Sequence, residues 1–243
     1  MKNFCKLFCA KAEHLHNVLS ILGVKFKFRK KKFNKRISYL KSLYFNLHYF
    51  GLKGLKLPVL LGKNVSLLKT GGNITLDEFR YGIVTIGLNR GDIFSFETNP
   101  TVFENSGQLH FKGQAIFGIG SKLSNSGNIT FGKNFFINGQ SLIICVKQID
   151  FGDKILIGWG CNIMDFDYHK ILDLKDNILN EPRPIVIKDR VWICSNAAIL
   201  KGSFINSDTI VAINTVISKT FNEKNIMLGG VNQIIKQNVK WKD

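Results

Sequence analysis

The sequence predicts an all-β solenoid, a chain wound in short strands joined by corners, and three observations predict it. Read in sixes, the stretch IKDRVWICSNAAILKGSFINSDTIVAINTVI places Ile187, Ile193, Ile199, Ile205, Val211 and Ile217 at one phase without a slip, and all six are β-branched. Four residues after each of the first five stand Val191, Ala197, Ser203, Thr209 and Thr215, none larger than valine. Upstream a second repeat appears, GQLHF at 107–111, GNITF at 127–131 and KQIDF at 147–151, with a period of twenty. A period of six suits neither the 3.6 of an α-helix nor a long strand of period two, but it suits a short strand and a corner repeated. Each unit then turns one branched residue inward and needs a small residue where the chain bends.

Taken in order, residues 2–22 place Phe4, Phe8, Leu15, Leu19 and Leu22 on one helical stripe with lysines elsewhere. After Gly23 comes the basic run KFKFRKKKFNKR, followed by a second amphipathic stretch with Ile37, Leu40, Tyr44 and Leu47 on its apolar stripe. Residues 1–56 thus read as a basic helical segment, with fourteen Lys or Arg against Glu13 alone. The whole chain carries +17, so the remaining 187 residues hold only +4. Such a segment suits an anionic membrane surface or a polyanion, or else it caps the open end of the solenoid with a solvated basic face. No nucleic-acid-binding motif accompanies its aromatics, which argues against nucleic acid.

From 57 to 220 the expected solenoid runs in glycine-punctuated strands. GNITL at 72–76 looks like an earlier, less regular member of this repeat, and the sixes run between slips through Phe111, Phe117, Leu123 and Ile129, then Phe131, Ile137 and Ile143, then Phe151, Ile157 and Ile163. An eighteen-residue coil with a two-residue bulge at one corner accounts for a period of twenty. Phenylalanine at these inward phases demands a wider core than isoleucine does. The sixes stop at Ile163 and resume at Ile187, leaving 164–184 as a polar loop thrown out of the solenoid and closed by Pro182 and Pro184. Residues 221–243 have no sixes and read as a C-terminal extension.

Composition excludes several function classes. The 22 glycines, 4 prolines and 20 phenylalanines fit a turn-rich β protein. No apolar run approaches the roughly 18 residues that span a bilayer, and the lysine-interrupted start lacks the core of a secretion signal, which places the protein in the cytoplasm, with the membrane's inner face as a peripheral station. Cys5, Cys9, Cys145, Cys161 and Cys194 show no disulfide rhythm, and Cys161 and Cys194 read as buried thiols. Cys5 and Cys9 near His14 and His16 match no common zinc spacing.

Of the five histidines only His169 lies in the excursion loop. In DFDYH the residues Asp165, Asp167 and His169 alternate, so an extended backbone would turn all three to one side. A carboxylate beside an imidazole fixes its tautomer and leaves the other nitrogen to accept a proton, the arrangement a general base needs. The run IGWGCNIMDFDYH, a loop, then PIVIKDRVWICSNAAILKG closely resembles the hexapeptide-repeat O-acetyltransferases, and RISYLKSLYFNLHYFGLKGLKLPVLLGKNV looks like the N-terminal region of capsule and lipopolysaccharide acetyltransferases.

The resemblance implies a left-handed parallel β-helix, acetyl-CoA as acyl donor, no metal, a sugar or polysaccharide acceptor, and a homotrimer with active sites between subunits. It implies that His169 takes the proton of an acceptor hydroxyl, supported by Asp167 and Asp165. Trp192 becomes an outward residue of the acceptor or pantetheine groove, with Tyr168 and Trp159 as further acceptor-facing candidates. Asn196, Ala197, Ala198, Lys201, Gly202 and Lys219 fall where the donor would lie. Cys194 and Asn206 stand where the family usually has glycine, and LGGVNQII replaces its usual tail. The competing readings are a zinc hydratase of the same fold, for which the solenoid holds only His110 and His169, and a non-catalytic solenoid that binds a membrane or polyanion through residues 1–56.

Overall fold

The sixes are the rungs of a three-sided prism. A computed structural model of the chain describes residues 36–88 and 99–242. The basic run, the 2–22 stripe and the Cys5, Cys9, His14 and His16 group fall outside the described residues, while residues 36–243 belong to one unit. Among the described residues twenty-three short strands form three sheets of nine, seven and seven strands, and each sheet takes every third strand of the chain in parallel register, except that the last strand of the first sheet turns back antiparallel. The first side begins at Val59–Leu61, the second at Val65–Lys69 and the third at Asn73–Leu76. Backbone amides are satisfied coil to coil, so a strand of two or three residues suffices where an isolated one would fail.

The register confirms both periods. Ile187 pairs with Ile205, Ile193 with Val211 and Ile199 with Ile217, each eighteen residues on. Leu109, Ile129 and Ile149 pair at intervals of twenty, as do Phe111, Phe131 and Phe151. Every anchor of the sixes from Phe111 to Ile217 is buried, and so are the small residues Val191, Ala197, Ser203, Thr209 and Thr215. GNITL joins as expected, with Ile74 against Leu109.

The extra two residues lie at the corner between the second and third sides. There the wide coils run through Ser106–Gly107, Ser126–Gly127 and Val146–Lys147 between four- and five-residue strands, whereas the coil after the loop turns tightly through Lys201–Gly202. The widened interior holds stacked rings: Phe111 on Phe131 at 4.8 Å and Phe131 on Phe151 at 5.4 Å, with interplanar angles of 10° and 7°. Phe117 and Phe135 close against the stack from the first side.

Both ends of the prism are covered. Helix α1, Tyr39–Phe50, lies on the first coil and is followed by a 3-10 turn, Gly51–Lys56. Its apolar stripe was expected at Ile37, Leu40, Tyr44 and Leu47, yet Leu40 is 65% exposed and Tyr44 61%. The buried face is Ser42, Phe45 and Asn46 instead. The reason is the open edge of strand Val59–Leu61, whose backbone has no preceding coil to pair with. Asn46 supplies the missing partner, donating from Nδ2 to Val59 O at 2.6 Å and accepting from Val59 N at 3.0 Å, while Ser42 Oγ accepts from Leu61 N at 2.9 Å. Polar side chains here do what a strand would do, which protects an edge from pairing with another chain.

At the far end parallel pairing continues past residue 220. Phe204–Ile205 pairs with Thr220–Phe221, and Ile210–Val211 with Met227–Leu228. Only then does Gln233–Gln237 turn back antiparallel on Ile226–Gly229 and cap the last coil. The tail ends against the first side, where Trp241 donates from its indole nitrogen to Arg190 O at 3.0 Å and lies 6.2 Å from Trp192. Among the described residues no helix is long and apolar enough to cross a membrane.

Candidate active site

The excursion loop leaves the widened corner, and a buried carboxylate marks its root. Along that corner Asn105, Asn125 and Cys145 stack in register. Asn125 Nδ2 donates to Asn105 Oδ1 at 2.8 Å, so the first two members of the column are bonded to each other. Asp165 follows next in the column, fully buried. Its carboxylate accepts from the backbone N–H groups of Val146 at 2.8 Å, Lys147 at 2.7 Å and Gln148 at 2.8 Å, and the Cys145 thiol points at it from 3.5 Å. Burial first and the Asp165 charge second push the Cys145 thiol up, which keeps it protonated and inert.

The expected alternation of Asp165, Asp167 and His169 therefore does not hold as a one-sided array. Asp165 is two residues beyond the inward Ile163 and continues the inward phase. Its lone pairs are occupied by backbone amides that no longer have a coil partner at the corner. The chain then leaves the strand: Tyr168 has φ 61°, and His169 N bonds to Asp167 O at 2.6 Å in a tight turn. Asp165 is a structural cap, not a partner of His169.

Beyond the turn the loop is a hairpin. Leu172 and Ile178 form an antiparallel bridge, Leu179 N bonds to Ile171 O at 2.8 Å, and Asp173 closes the tip by accepting from Lys175 N and Asn177 N. Asn180 holds the base of the hairpin. Its Oδ1 accepts from Ile171 N at 2.7 Å, and its Nδ2 donates to His169 O at 2.7 Å and to Asp167 Oδ2 at 3.0 Å. Lys201, from the next coil, forms an ion pair with Asp167 Oδ2 and donates to Asn180 O at 2.9 Å. The Lys201 ammonium, then Asn180 and Arg183, hold the Asp167 carboxyl below the usual carboxylate range.

His169 ends on the surface with its ring making no hydrogen bond to the described residues. Both ring nitrogens are available to a substrate, and the backbone, not a carboxylate, fixes where the ring sits. Sequence reasoning missed Asn180, because an asparagine among NEPRP carries no signal of which atoms it will close. It also placed Lys201 where the donor would lie, whereas its side chain is 12% exposed and committed to Asp167 and Asn180.

The other expected residues occupy two edges of the prism. Gly202 and Lys219 share the edge of His169, with Gly202 at φ 77° beneath the Arg183 guanidinium and Lys219 exposed one coil further on. Trp159 and Asn196 lie on the edge between the first and second sides, joined by Asn196 N to Trp159 O at 2.8 Å. Trp159 is 39% exposed, and Asn196 is exposed at φ 59°. Ala198 looks outward from the second side between these edges, two residues from Asn196 and four from Gly202. Trp192 is outward on the first side, half-covered by Trp241, and Tyr168 is 64% exposed beside Phe166 at 4.8 Å. Ala197 is fully buried at an inner corner, so it cannot reach a ligand. One chain thus brings Asp167, His169, Asn180 and Lys201 together and leaves Trp159, Asn196 and Trp192 elsewhere.

Two departures from the expected glycine pattern prove harmless to the backbone. Neither Cys194 nor Asn206 has a positive φ; the left-handed corner positions are Arg190, Asn196, Gly202, Asp208 and Asn214, all but Arg190 residue types that tolerate that conformation. Among the described residues no three His, Cys, Asp or Glu side chains gather as a metal site, and His110 is paired with Asp77 at 2.7 Å.

No family model matches the chain. A protein of Escherichia coli named as a lipopolysaccharide biosynthesis O-acetyl transferase, WbbJ, is 26% identical over 149 residues, covering 57% of this chain and 76% of its own. The galactoside O-acetyltransferase of Escherichia coli is 26% identical over 108 residues; the match spans 44% of this chain and about half, 53%, of that enzyme. In structure, the polySia specific acetyltransferase NeuO superposes with a TM-score of 0.56 at 15% identity, covering 74% of this chain and 72% of NeuO, a likeness of fold. The chain is thus similar in sequence to O-acetyltransferases, and its fold is the left-handed parallel β-helix.

Proposed function

We propose that the protein transfers an acetyl group from acetyl-CoA directly to a sugar hydroxyl of a bacterial surface polysaccharide or its precursor, with His169 as general base. The observation that carries this reading is the excursion loop: the loop histidine is exposed, its ring is free, and its backbone carbonyl is tied down by Asn180. The lipopolysaccharide and polysialic acid enzymes among the similar proteins support a polysaccharide acceptor.

Acetyl-CoA supplies the activated acyl group as a thioester. His169 accepts the proton of the acceptor hydroxyl as its oxygen attacks the carbonyl carbon, and returns a proton to the leaving thiolate. Holding the ring at a fixed place on a rigid prism contributes orientation as well as basicity. Asn196, Ala198, Gly202 and Lys219 fit a donor lying along the coils, since all four present exposed or half-exposed surface. Ala197 and Lys201 drop out of that set for the reasons of burial and pairing given above.

Trp159 and Asn196 sit one prism edge away from His169, which favours a groove made by two copies, the first edge of one facing the loop edge of the next. A homotrimer closes such an arrangement symmetrically. The cytoplasm, with contact at an anionic membrane through the basic N-terminal segment, fits a lipid-linked acceptor.

The test is calorimetric titration with acetyl-CoA, using ATP as control, followed by thiol release with surface-glycan acceptors for wild type and His169→Ala. Saturable binding and a turnover lowered by about 10²–10⁴-fold in the variant are expected. Unchanged turnover removes His169 from the chemistry, and no binding at millimolar acetyl-CoA removes the transferase reading.

A further inference from the structure

The hairpin that carries His169 is anchored to the body of the prism by few contacts, and those at its base include Lys201 from the next coil. We propose that Lys201 and Asn180 form a latch that positions the loop histidine, with Asp167 as the strike plate between them. The inference rests on the reading of His169 as the base, but its geometry stands on its own. Lys201 belongs to the corner after the loop, thirty-two residues beyond His169 in sequence and on the same edge of the prism. Its ammonium meets the Asp167 carboxylate and the Asn180 carbonyl, while the Asn180 amide meets that same carboxylate and the carbonyl of His169.

Each link has a chemical reason. An ammonium with three donors suits two acceptors that diverge, and an amide of asparagine donates to two oxygens while its own oxygen accepts from Ile171 N. The side chain of Lys201 is largely covered, so its charge needs the carboxylate, and the carboxylate in turn is neutralised before it reaches the imidazole. Arg183, whose guanidinium packs over Gly202 and whose N–H bonds to Asp165 O at 3.1 Å, adds positive charge on the same side. Asp167 is therefore a positioning residue that acts through Lys201 and Asn180, and it makes no bond to the histidine ring. Outside the latch, the contacts at Asp173 and the Leu172–Ile178 bridge shape the hairpin tip without tying it to the coils, while Lys147 Nζ to Pro182 O at 3.2 Å and Gly202 N to Pro184 O at 3.1 Å hold the chain only where it returns to the prism.

The experiment uses the full chain and its Lys201→Met, Lys201→Arg, Asp167→Asn and Lys201→Met/Asp167→Asn forms, read by steady-state kinetics and by amide hydrogen exchange. Lys201→Met should lower kcat by about 10–100-fold, the usual penalty for a reacting group displaced by an ångström, with the KM for acetyl-CoA within twofold. Lys201→Arg should recover most of that loss, and the double variant should be no worse than the more impaired single one. The amides of His169, Ile171 and Leu179 should exchange faster in Lys201→Met, while those of Ile193 and Val211 stay protected. A raised KM for acetyl-CoA with kcat retained would overturn the latch and make Lys201 a donor-phosphate contact. Unchanged loop exchange would overturn it as well. His169→Ala run in parallel separates the two ideas: if that variant keeps full turnover the base assignment fails, and the exchange data still decide the latch.

Discussion

The twenty-residue coils that lead up to the excursion loop and the eighteen-residue coils after it differ by two residues, and the difference explains where the loop arises. Before it, twenty-residue coils enclose the stacked rings of Phe111, Phe131 and Phe151; after it, eighteen-residue coils close on Ile187, Ile193, Ile199, Ile205, Val211 and Ile217. The extra residues widen one corner and leave inward polar space there, which Asn105, Asn125, Cys145 and Asp165 fill in turn. The column ends at Asp165 because the next coil is narrow, and its carboxylate gathers the three amides that the last wide corner exposes. The chain leaves the prism at the residue after that, and His169 follows within one turn. The excursion loop thus sits at a change of gauge in the scaffold.

Removing a ring from the wide coils should give the largest effect. Phe131 has no exposed surface and touches rings on three sides, so Phe131→Ala is expected to lose roughly 3–5 kcal/mol, measured by denaturant unfolding with the slope unchanged. A loss below about 1 kcal/mol would mean that the wide coils collapse and that ring stacking does not set their width.

Next comes the cap at the junction. Asp165→Asn keeps the shape but turns one acceptor into a donor facing amide hydrogens, and about 2–4 kcal/mol should go with it. Hydrogen exchange at Val146, Lys147 and Gln148 should rise in the same variant. If those amides stay protected and activity alone falls, Asp165 acts on the chemistry and the structural assignment is wrong. A smaller cost is expected from forcing a ring into the narrow gauge: Ile205→Phe extends the phenylalanine row into an eighteen-residue coil and should cost roughly 1–3 kcal/mol by overpacking. A neutral Ile205→Phe would show that both gauges have the same bore.

Much of this was legible in the residues. The sixes fixed the inward phase because a repeated corner admits no slack: one residue of slip would turn Ile199 outward, and the period of twenty located the bulge at one corner. What escaped was set by contacts between coils. Leu40, Tyr44 and Leu47 have helical spacing, yet the helix turns Ser42 and Asn46 inward because an unpaired strand edge needs hydrogen bonds more than it needs apolar cover. Alternation placed Asp165 with Asp167 and His169, but the same alternation carried on from Ile163 points it into the core, and the left-handed Tyr168 breaks the phase before the histidine. Lys201 and Asn180 meet only after the hairpin folds back, so no spacing reveals them.

The smallest predicted effect concerns pH and compares the two carboxylates at the root of the loop. Asp167 has its pKa depressed, first by the Lys201 hydrogen bond, so the stability it lends the latch is present above the unfolded value of about 3.9 and is lost as pH falls through the lower folded value. The latch should therefore be fully closed from weakly acidic pH upward, and opening it should require acid below the range in which an unfolded aspartate titrates. Because the Asp167 side chain is 39% exposed, solvent screens the pair and the change in global stability should be slight. The measurement is an NMR titration of the Asp167 carboxyl and the Asn180 side-chain amide. Both signals should move together with a midpoint below that of an unfolded aspartate, and in Lys201→Met the midpoint should rise. Independent movement of the two signals would mean that Lys201 pairs with Asp167 without holding the hairpin, and the loop would then owe its position to the narrow coil beneath it.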